Sequence, residues 1–304
     1  MEDYLVQARE DLIEFINKKY SLENGLLQSE IECLDFFYST STTEFDAIMY
    51  EPSLCVILQG SKAVGFGEKL YQYSPSEYLL SSTHVPANIR ILEASEDTPY
   101  LSFRIRFGLE DIYEVLKNTN PSKLEFQKKS EKGLFFDDLN YSLYEPMTRL
   151  VKLLEKPKED IEYLAPFIIK EILYKLINDK SGYFLNKFVM EGTTSNKVVK
   201  AITEIKNKFN EKLNIKELAN LVEMSESSLY QNFKTITSMT PIQFQKNLRL
   251  QEAKQILSVR NIEVSEVAFA VGYESPSQFS REYSRMFGIS PKAHSDILKG
   301  QVSA

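Results

Sequence analysis

The last third of the chain repeats itself. Ile215, Ala219 and Met224 recur as Val264, Ala268 and Tyr273 at an offset of 49. Leu229, Phe233, Thr240 and Pro241 recur as Phe279, Tyr283, Ser290 and Pro291 at an offset of 50, so the second copy carries one extra residue in its turn. Each copy is a short apolar-periodic segment, a turn (at Gly272 in the second copy), and a segment whose apolar residues lie four apart, on one face of a helix. Phe279, Tyr283 and Phe287 form an aromatic stripe at i, i+4 and i+8. Ser277, Gln278, Ser280 and Arg281 lie between them, short polar groups and one guanidinium where a purely solvated helix would carry Glu and Lys. Helix, tight turn, helix, present twice, is the shape of a DNA-reading unit. An ordinary helical hairpin has no reason to match at so many positions.

A helix over Pro241–Leu257 joins the copies. At 1.5 Å per residue it spans roughly 25 Å. That is long enough to hold two reading helices near one turn of duplex apart, about 34 Å. Each reading helix must bury one face, Leu229 with Phe233 or Phe279 with Tyr283, and present the other to base edges.

The motifs in this region resemble the AraC/XylS-type DNA-binding domain. Its pattern of a small residue, Gly-aromatic, aromatic-x-x-x-aromatic and Gly-x-Ser/Thr-Pro stands here as Ala268, Gly272-Tyr273, Phe279, Tyr283 and Gly288-Ile289-Ser290-Pro291. Thr240–Leu257 resembles that domain's linker helix. The resemblance implies base-facing positions at Ser227, Tyr230 and Gln231 in the first unit and at Ser277, Gln278 and Arg281 in the second, with Ser280 beside them. Gln can read adenine N6/N7, and Arg can read guanine O6/N7 or hold a phosphate. Tyr230 can equally pack on sugar or a thymine methyl. Lys234, Arg249 and Arg285 are expected at phosphates. Two departures stand out. Glu223 occupies a turn position where the family commonly has Gly, so a positive φ there is strained, and His294-Ser295 replaces an aromatic-Arg pair after Pro291.

Upstream the period changes. From Ile31 to Phe107 short apolar runs (CLDFFY, SLCVIL, KAVGF, KLYQY, EYLLSS, NIRILEA and YLSFRIRF) are separated by turn-forming pieces such as Glu51-Pro52-Ser53, Gly60-Ser61, Gly67-Glu68 and Ser74-Pro75-Ser76. Many short strands with regular turns predict a β-sandwich or barrel. Ser102, Arg104 and Arg106 alternate with apolar neighbours, as in a strand with one face buried. Helices are expected over Leu109–Lys117, Leu143–Leu154 and Ile161–Ile177, with Pro157 separating the last two. The third carries an apolar stripe of Ile161, Leu164, Ile168, Ile172 and Leu176, widened by Phe167, Ile169 and Leu173; packing on the barrel or a dimer interface would use it. Glu191–Asn196 reads as a link between domains.

Tyr50-Glu51-Pro52-Ser53-Leu54-Cys55, Gln59-Gly60-Ser61-Lys62, Tyr71, Tyr78-Leu79-Leu80 and Pro86 resemble the N-terminal domain carried by some AraC-type regulators. That resemblance implies a cupin-like barrel that senses a small molecule. A metal-dependent cupin enzyme fused to a helical module is the alternative. It needs several His ligands, and the chain has only His84 and His294, of which His84 alone lies in the barrel part. No metal or cofactor is therefore expected, and His84 is expected at a turn or rim. Cys55, on an apolar strand, reads as a buried inert thiol, with a sensing thiol as the sharper alternative. Tyr71, Tyr73 and Tyr78 can line an apolar pocket or simply form core.

Charge divides along the same line. Residues 195–304 carry 15 Lys and Arg against 11 Asp and Glu, a net of +4, which leaves 21 against 32, a net of −11, for residues 1–194. A basic second part suits a polyanion. Two cysteines are too few for a disulfide framework, and the acidic start MEDYLVQARED is unlike a signal peptide; with no apolar run long enough to span a bilayer, a cytoplasmic location is expected. The reading is an α+β protein. Residues 1–190 form a cupin-like β-barrel with flanking helices for effector binding and dimerisation, and residues 195–304 form an all-α double helix-turn-helix domain. The partners it implies are double-stranded promoter DNA and a small-molecule effector, with RNA polymerase (in an activator's role) and a second copy of the chain as further candidates.

Overall fold

A computed structural model describes residues 2–117, 132–259 and 262–302. Helix α1 (Glu2–Lys19) precedes β1 (Gly25–Gln28), β2 (Leu34–Ser39), β3 (Asp46–Tyr50), β4 (Ser53–Gln59), β5 (Ser61–Phe66), β6 (Lys69–Tyr73), β7 (Glu77–Ser81), β8 (Val85–Glu93) and β9 (Tyr100–Arg106). After α2 (Leu109–Lys117) comes β10 (Leu134–Asp138). The strands pair antiparallel in two sheets, ordered β1-β2-β9-β4-β7-β10 and β3-β8-β5-β6. The expected all-β unit is present as two sheets; among the described residues no ladder joins them into a continuous barrel. Three strands, β1 (GLLQ), β3 (DAIMY) and β10 (LFFDD), were not marked by the apolar runs, because each is short and mixes polar with apolar residues.

Two apolar layers follow from strand alternation. Cys55, Ile57, Val64, Phe66, Tyr73, Val85, Ile91 and Tyr100 meet in one cluster between the sheets. Leu54, Val56, Leu58, Leu101, Phe103 and Ile105, on the other face of the six-stranded sheet, pack against helices. The expectation that β9 shows a polar face to solvent is corrected here. Ser102 is buried, and Arg104 points to a buried carboxylate, with Nη2 2.6 Å and Nε 3.1 Å from Asp35 Oδ2. Both faces of β9 are covered, and the ion pair makes burial of the polar one tolerable.

The covering helices are α3 (Tyr141–Lys152), α4 (Lys158–Ile177) and α5 (Gly182–Val189). Helix α5 lies where the sequence pattern gave no helix. The stripe of α4 also differs from expectation. Ile161, Ala165, Ile172, Leu173, Leu176 and Ile177 are its buried residues, whereas Leu164 and Phe167 face outward beside Tyr163 and Tyr174. The 3.6-residue period drifts over this 20-residue helix, and the apolar sequence runs wider than the buried face.

The remaining helices are α6 (Thr194–Asn207), α7 (Ile215–Leu221), α8 (Glu226–Thr237), α9 (Pro241–Val259), α10 (Val264–Ala270), α11 (Pro276–Phe287) and α12 (Pro291–Val302). Glu191–Asn196 is a shorter break than expected. Thr193 caps α6 by accepting from Asn196 N at 3.1 Å, and Thr194–Asn196 form that helix's first turn. The apolar core runs without a break from the outer face of the six-stranded sheet through α4, α5 and α6 into Leu218, Leu229, Phe233 and Phe244. A separate core holds Leu250, Ala253, Leu257, Val267, Ala268, Phe279 and Tyr283.

Polar contacts dock the helical part on the sheets. Gly133 N donates to Ile236 O at 2.9 Å, at the end of α8. Gln251 Nε2 donates to Ala47 O at 2.7 Å, and Lys254 Nζ lies 3.0 Å from Asp46 Oδ2. Lys206 Nζ, on α6, contacts His84 Nε2. Lysine has no acceptor, so His84 must be neutral with Nε2 accepting. Burial, reinforced by the Lys206 ammonium, pushes the His84 pKa down to about 3; burial also lowers that of Lys206. Above pH ~6.5 His84 is neutral whether the chain is folded or not, and its contribution is intact. As pH falls from there toward 3 the unfolded chain takes up a proton that the folded one resists, so stability is lost. Urea unfolding at pH 7 and pH 5 should show the wild type losing roughly 2 kcal/mol more than His84→Gln, which keeps an acceptor.

Candidate nucleic-acid interface

The repeat seen in the sequence extends to the hydrogen bonds that make each turn. Met224 N donates to Ala219 O, and Tyr273 N to Ala268 O, both at 2.9 Å. Ser225 and Ser275 cap α8 and α11, accepting from Ser228 N at 3.2 Å and Gln278 N at 3.3 Å. Side-chain caps of this kind satisfy otherwise orphaned first-turn N–H groups. At the far ends Ser238 and Gly288 adopt left-handed conformations, with φ of 62° and 72°. The turn positions Glu223 and Gly272 both have positive φ, 52° and 88°. Gly272 is required for a second reason, since a Cβ there would lie 2.2 Å from Asn210 O. The strain expected at Glu223 is present, and Lys197 Nζ braces it by donating to Glu223 O at 3.1 Å.

Burying Leu229 and Phe233, and Phe279 and Tyr283, fixes the rotation of each reading helix. Ser227, Gln231 and Lys234 are exposed on α8 and Tyr230 is half-buried; the four lie at spacings of 3, 1 and 3 residues, one helical stripe. On α11 Ser277, Gln278, Arg281 and Arg285 are exposed and Ser280 is half-buried. The structure therefore gathers all of these residues on two outward faces.

Sequence reasoning missed one neighbour of that face. Glu282 accepts from Gln278 Nε2 at 3.1 Å, Lys246 Nζ at 3.0 Å and Tyr273 Oη at 2.9 Å. Burial opposes its charge, but these donors outweigh it and hold the carboxyl below the usual range. Gln278 is thus oriented before any ligand arrives. The i, i+4 spacing of Gln278 and Glu282 is the signal that could have exposed the pair.

Arg249 is a correction. Expected at a phosphate, it points inward instead, donating from Nε to Phe209 O, from Nη1 to Gly272 O and from Nη2 to Glu211 O, each at 2.7 Å. Its planar fork matches carbonyls of both units at once. His294 and Ser295, the departures after Pro291, also have structural roles: Tyr283 Oη lies 3.0 Å from His294 Nδ1, and Ser295 Oγ donates to Leu257 O at 3.2 Å.

Between the sheets, Tyr71 stacks on Phe136 with ring centroids 4.7 Å apart, and Tyr73 is buried; Tyr78 packs on the helical side. Cys55 is buried, and burial pushes its thiol pKa up, away from thiolate reactivity. Among the described residues no group of three His, Cys, Asp or Glu side chains gathers to hold a metal ion, and no helix is long and apolar enough to cross a membrane.

Comparison with known proteins is consistent with this geometry. The family described as the AraC-type transcriptional regulator N-terminus matches residues 30–184, and a helix-turn-helix domain family matches residues 218–296. The chain is 28% identical over 200 residues to the raffinose operon transcriptional regulatory protein RafR of Pediococcus pentosaceus, covering 66% of this chain and 69% of that one. To the HTH-type transcriptional regulator YisR of Bacillus subtilis it is 24% identical over 255 residues, covering 82% and 87%. Its match to the HTH-type transcriptional regulator CdhR of Pseudomonas aeruginosa, 34% over 107 residues, spans only 32% of that relative and 35% of this chain. Among solved structures, ToxT of Vibrio cholerae bound to unsaturated fatty acid shares the fold, with a TM-score of 0.62 at 11% identity over 92% of this chain and 98% of that one.

The two turns make opposite demands on stability. Glu223→Gly should stabilise the protein by about 0.5–1 kcal/mol, relieving a left-handed residue at the cost of an exposed ion pair. Gly272→Ala should destabilise it by at least about 3 kcal/mol, adding backbone strain to a backbone clash. Equilibrium urea unfolding of both variants reads the two signs.

Proposed function

The chain belongs to the AraC-type transcriptional regulators, and from that premise we propose that α8 and α11 read its operator through Ser227, Tyr230, Gln231, Lys234, Ser277, Gln278, Ser280, Arg281 and Arg285. DNA-binding transcriptional regulation is what the family does; this assignment of residues adds to it. The observation that carries it is the pair of helices whose exposed polar faces stand opposite the buried anchors Leu229 and Phe233, and Phe279 and Tyr283. Arg281 and Gln278 have the donor and acceptor geometry for guanine and adenine edges. Lys234 and Arg285, one turn further along their helices, suit phosphates.

Residues 1–190 are assigned to effector sensing and residues 195–304 to DNA binding. The effector is a small molecule held between the two sheets. The fatty acid bound to ToxT, which shares this fold, supports a ligand-controlled N-terminal half. Effector binding acts by changing how the helical part docks at Asp46, Ala47 and Gly133, which shifts the balance between arrangements that bind DNA differently. A homodimer formed through the outward face of α4 (Tyr163, Leu164, Phe167 and Tyr174) and contact with RNA polymerase complete the proposal.

Footprinting and mobility shift on DNA around the protein's own gene test it. Arg281→Ala should weaken specific binding by about 1–3 kcal/mol and relax one base position, whereas Lys234→Ala should weaken all sequences alike and lower the salt slope by about 1. Binding that ignores salt, or an Arg281→Ala protein that footprints like the wild type, would sink this assignment.

A further inference from the structure

One largely buried lysine takes no part in reading DNA. Lys62, in β5, shares the inward face with Val64 and Phe66 and is only 9% exposed. Its Nζ stands 5.7 Å from the centroid of the Phe37 ring and 5.5 Å from that of Tyr100. Among the described residues it has no carboxylate within 4.0 Å and no hydrogen-bond acceptor. Aromatic faces recover part of an ammonium's lost hydration, but burying a charge remains expensive without a counter-ion. Of the other cations near this cluster, Arg104 is committed to Asp35, and Lys132 stands over the rings of Phe66 and Tyr71.

Two further polar groups in the same cluster lack partners. The hydroxyls of Tyr50 and Tyr100 are buried with no hydrogen bond. Burial raises the pKa of Tyr50 and Tyr73, with Cys55 and Tyr100 close enough to add to both shifts, and Lys62 lies close enough to Cys55 to oppose the rise that burial imposes on its thiol. Buried hydroxyls are nearly always satisfied in folded proteins, so two orphans beside an unpaired ammonium mark a missing partner.

The backbone is shaped to aim Lys62 inward. Between β4 and β5 the chain turns at Gly60, whose φ is 82° and whose added Cβ would fall 2.4 Å from Glu93 O. The ladders slip on both sides of this turn, between Ile57 and Gln59 against β9 and between Ser61 and Lys62 against β8. Such irregularities commonly re-aim a side chain toward a site.

We infer that Lys62, with the hydroxyls of Tyr50 and Tyr100, receives the anionic end of the effector, and that the effector is a carboxylic acid with an apolar or aromatic body. The inference rests on the proposal that the effector binds between the sheets. One ammonium balances one negative charge, and with two O–H donors it can saturate two carboxylate oxygens. A phosphate dianion would need a second uncommitted cation. Phe37, Ile48, Ile57, Val64 and Phe136 supply apolar surface for the rest of the molecule.

The test uses the purified full-length chain with octanoate and phenylacetate, and with octanamide and phenylacetamide as neutral counterparts, followed by calorimetric titration and thermal unfolding. At least one acid should bind more tightly than its amide, and Lys62→Met should weaken that acid about tenfold or more. Tyr100→Phe and Tyr50→Phe should each weaken it several-fold yet leave the ligand-free protein no less stable, because each removes an unpartnered hydroxyl. That last result separates a ligand-binding role from a structural one. If neither acid outbinds its amide, or the acid binds Lys62→Met as tightly as wild type, the inference fails. Val64→Phe, with Ala87→Leu as a second way to fill the interior, distinguishes the causes. Amides that bind wild type but neither filled variant leave the site between the sheets standing and refute its anionic end. Acids that bind the filled variants unchanged refute the location itself.

Discussion

The guanidinium of Arg249 holds the helical half in one geometry. From α9 it reaches Phe209 and Glu211 in the connection between α6 and α7, and Gly272 in the second turn, at 2.7 Å each. A charge-assisted hydrogen bond contributes roughly 1.5–3 kcal/mol, and three made by one planar group also fix direction. Gln245, one turn earlier on α9, adds a bond to Glu211 O at 2.9 Å. The absence of a side chain at Gly272 lets its backbone close on Asn210. Without this clamp the two units would be separate hairpins strung on a helix. With it, the separation of α8 and α11 becomes a property of the fold, which a regulator reading two stretches of major groove requires.

The two units relate differently to the sheets. The first shares a continuous apolar core with α4, α5 and the six-stranded sheet, and its reading helix ends against Gly133. The second has its own core and meets β3 through polar contacts to Asp46 and Ala47. Strand β3 pairs with β8, and β8 with β5, which carries Lys62. A change between the sheets therefore has a short mechanical route to the second unit, through three adjacent strands and one ion pair.

What could be read from the sequence was whatever depends on local period. Phe279 and Tyr283, four residues apart and echoed by Leu229 and Phe233, identified both reading helices and their buried faces. Gly272 and Glu223 were legible because a turn's φ is a local demand. Features that depend on distant partners were not. Arg249 looked like a surface cation because its three carbonyls lie some 23 to 40 residues away in the chain. Arg104 looked solvated because nothing in YLSFRIRF points to Asp35, 69 residues earlier. Nothing in the run KAVGF says which way Lys62 faces; its inward face follows from the turn at Gly60 and the slipped ladders beside it. Leu164 and Phe167 belong to the apolar stripe of α4 yet face outward, because composition alone cannot say which side of a wide stripe finds a partner.

The second unit's separate core also divides the molecule kinetically. Leu257, Val267, Phe279 and Tyr283 belong to a small core of their own, while the first unit is fused to the larger one, and smaller cores open locally at lower cost. Amide protons of α10 and α11 should then exchange through a cheaper opening than those of α8.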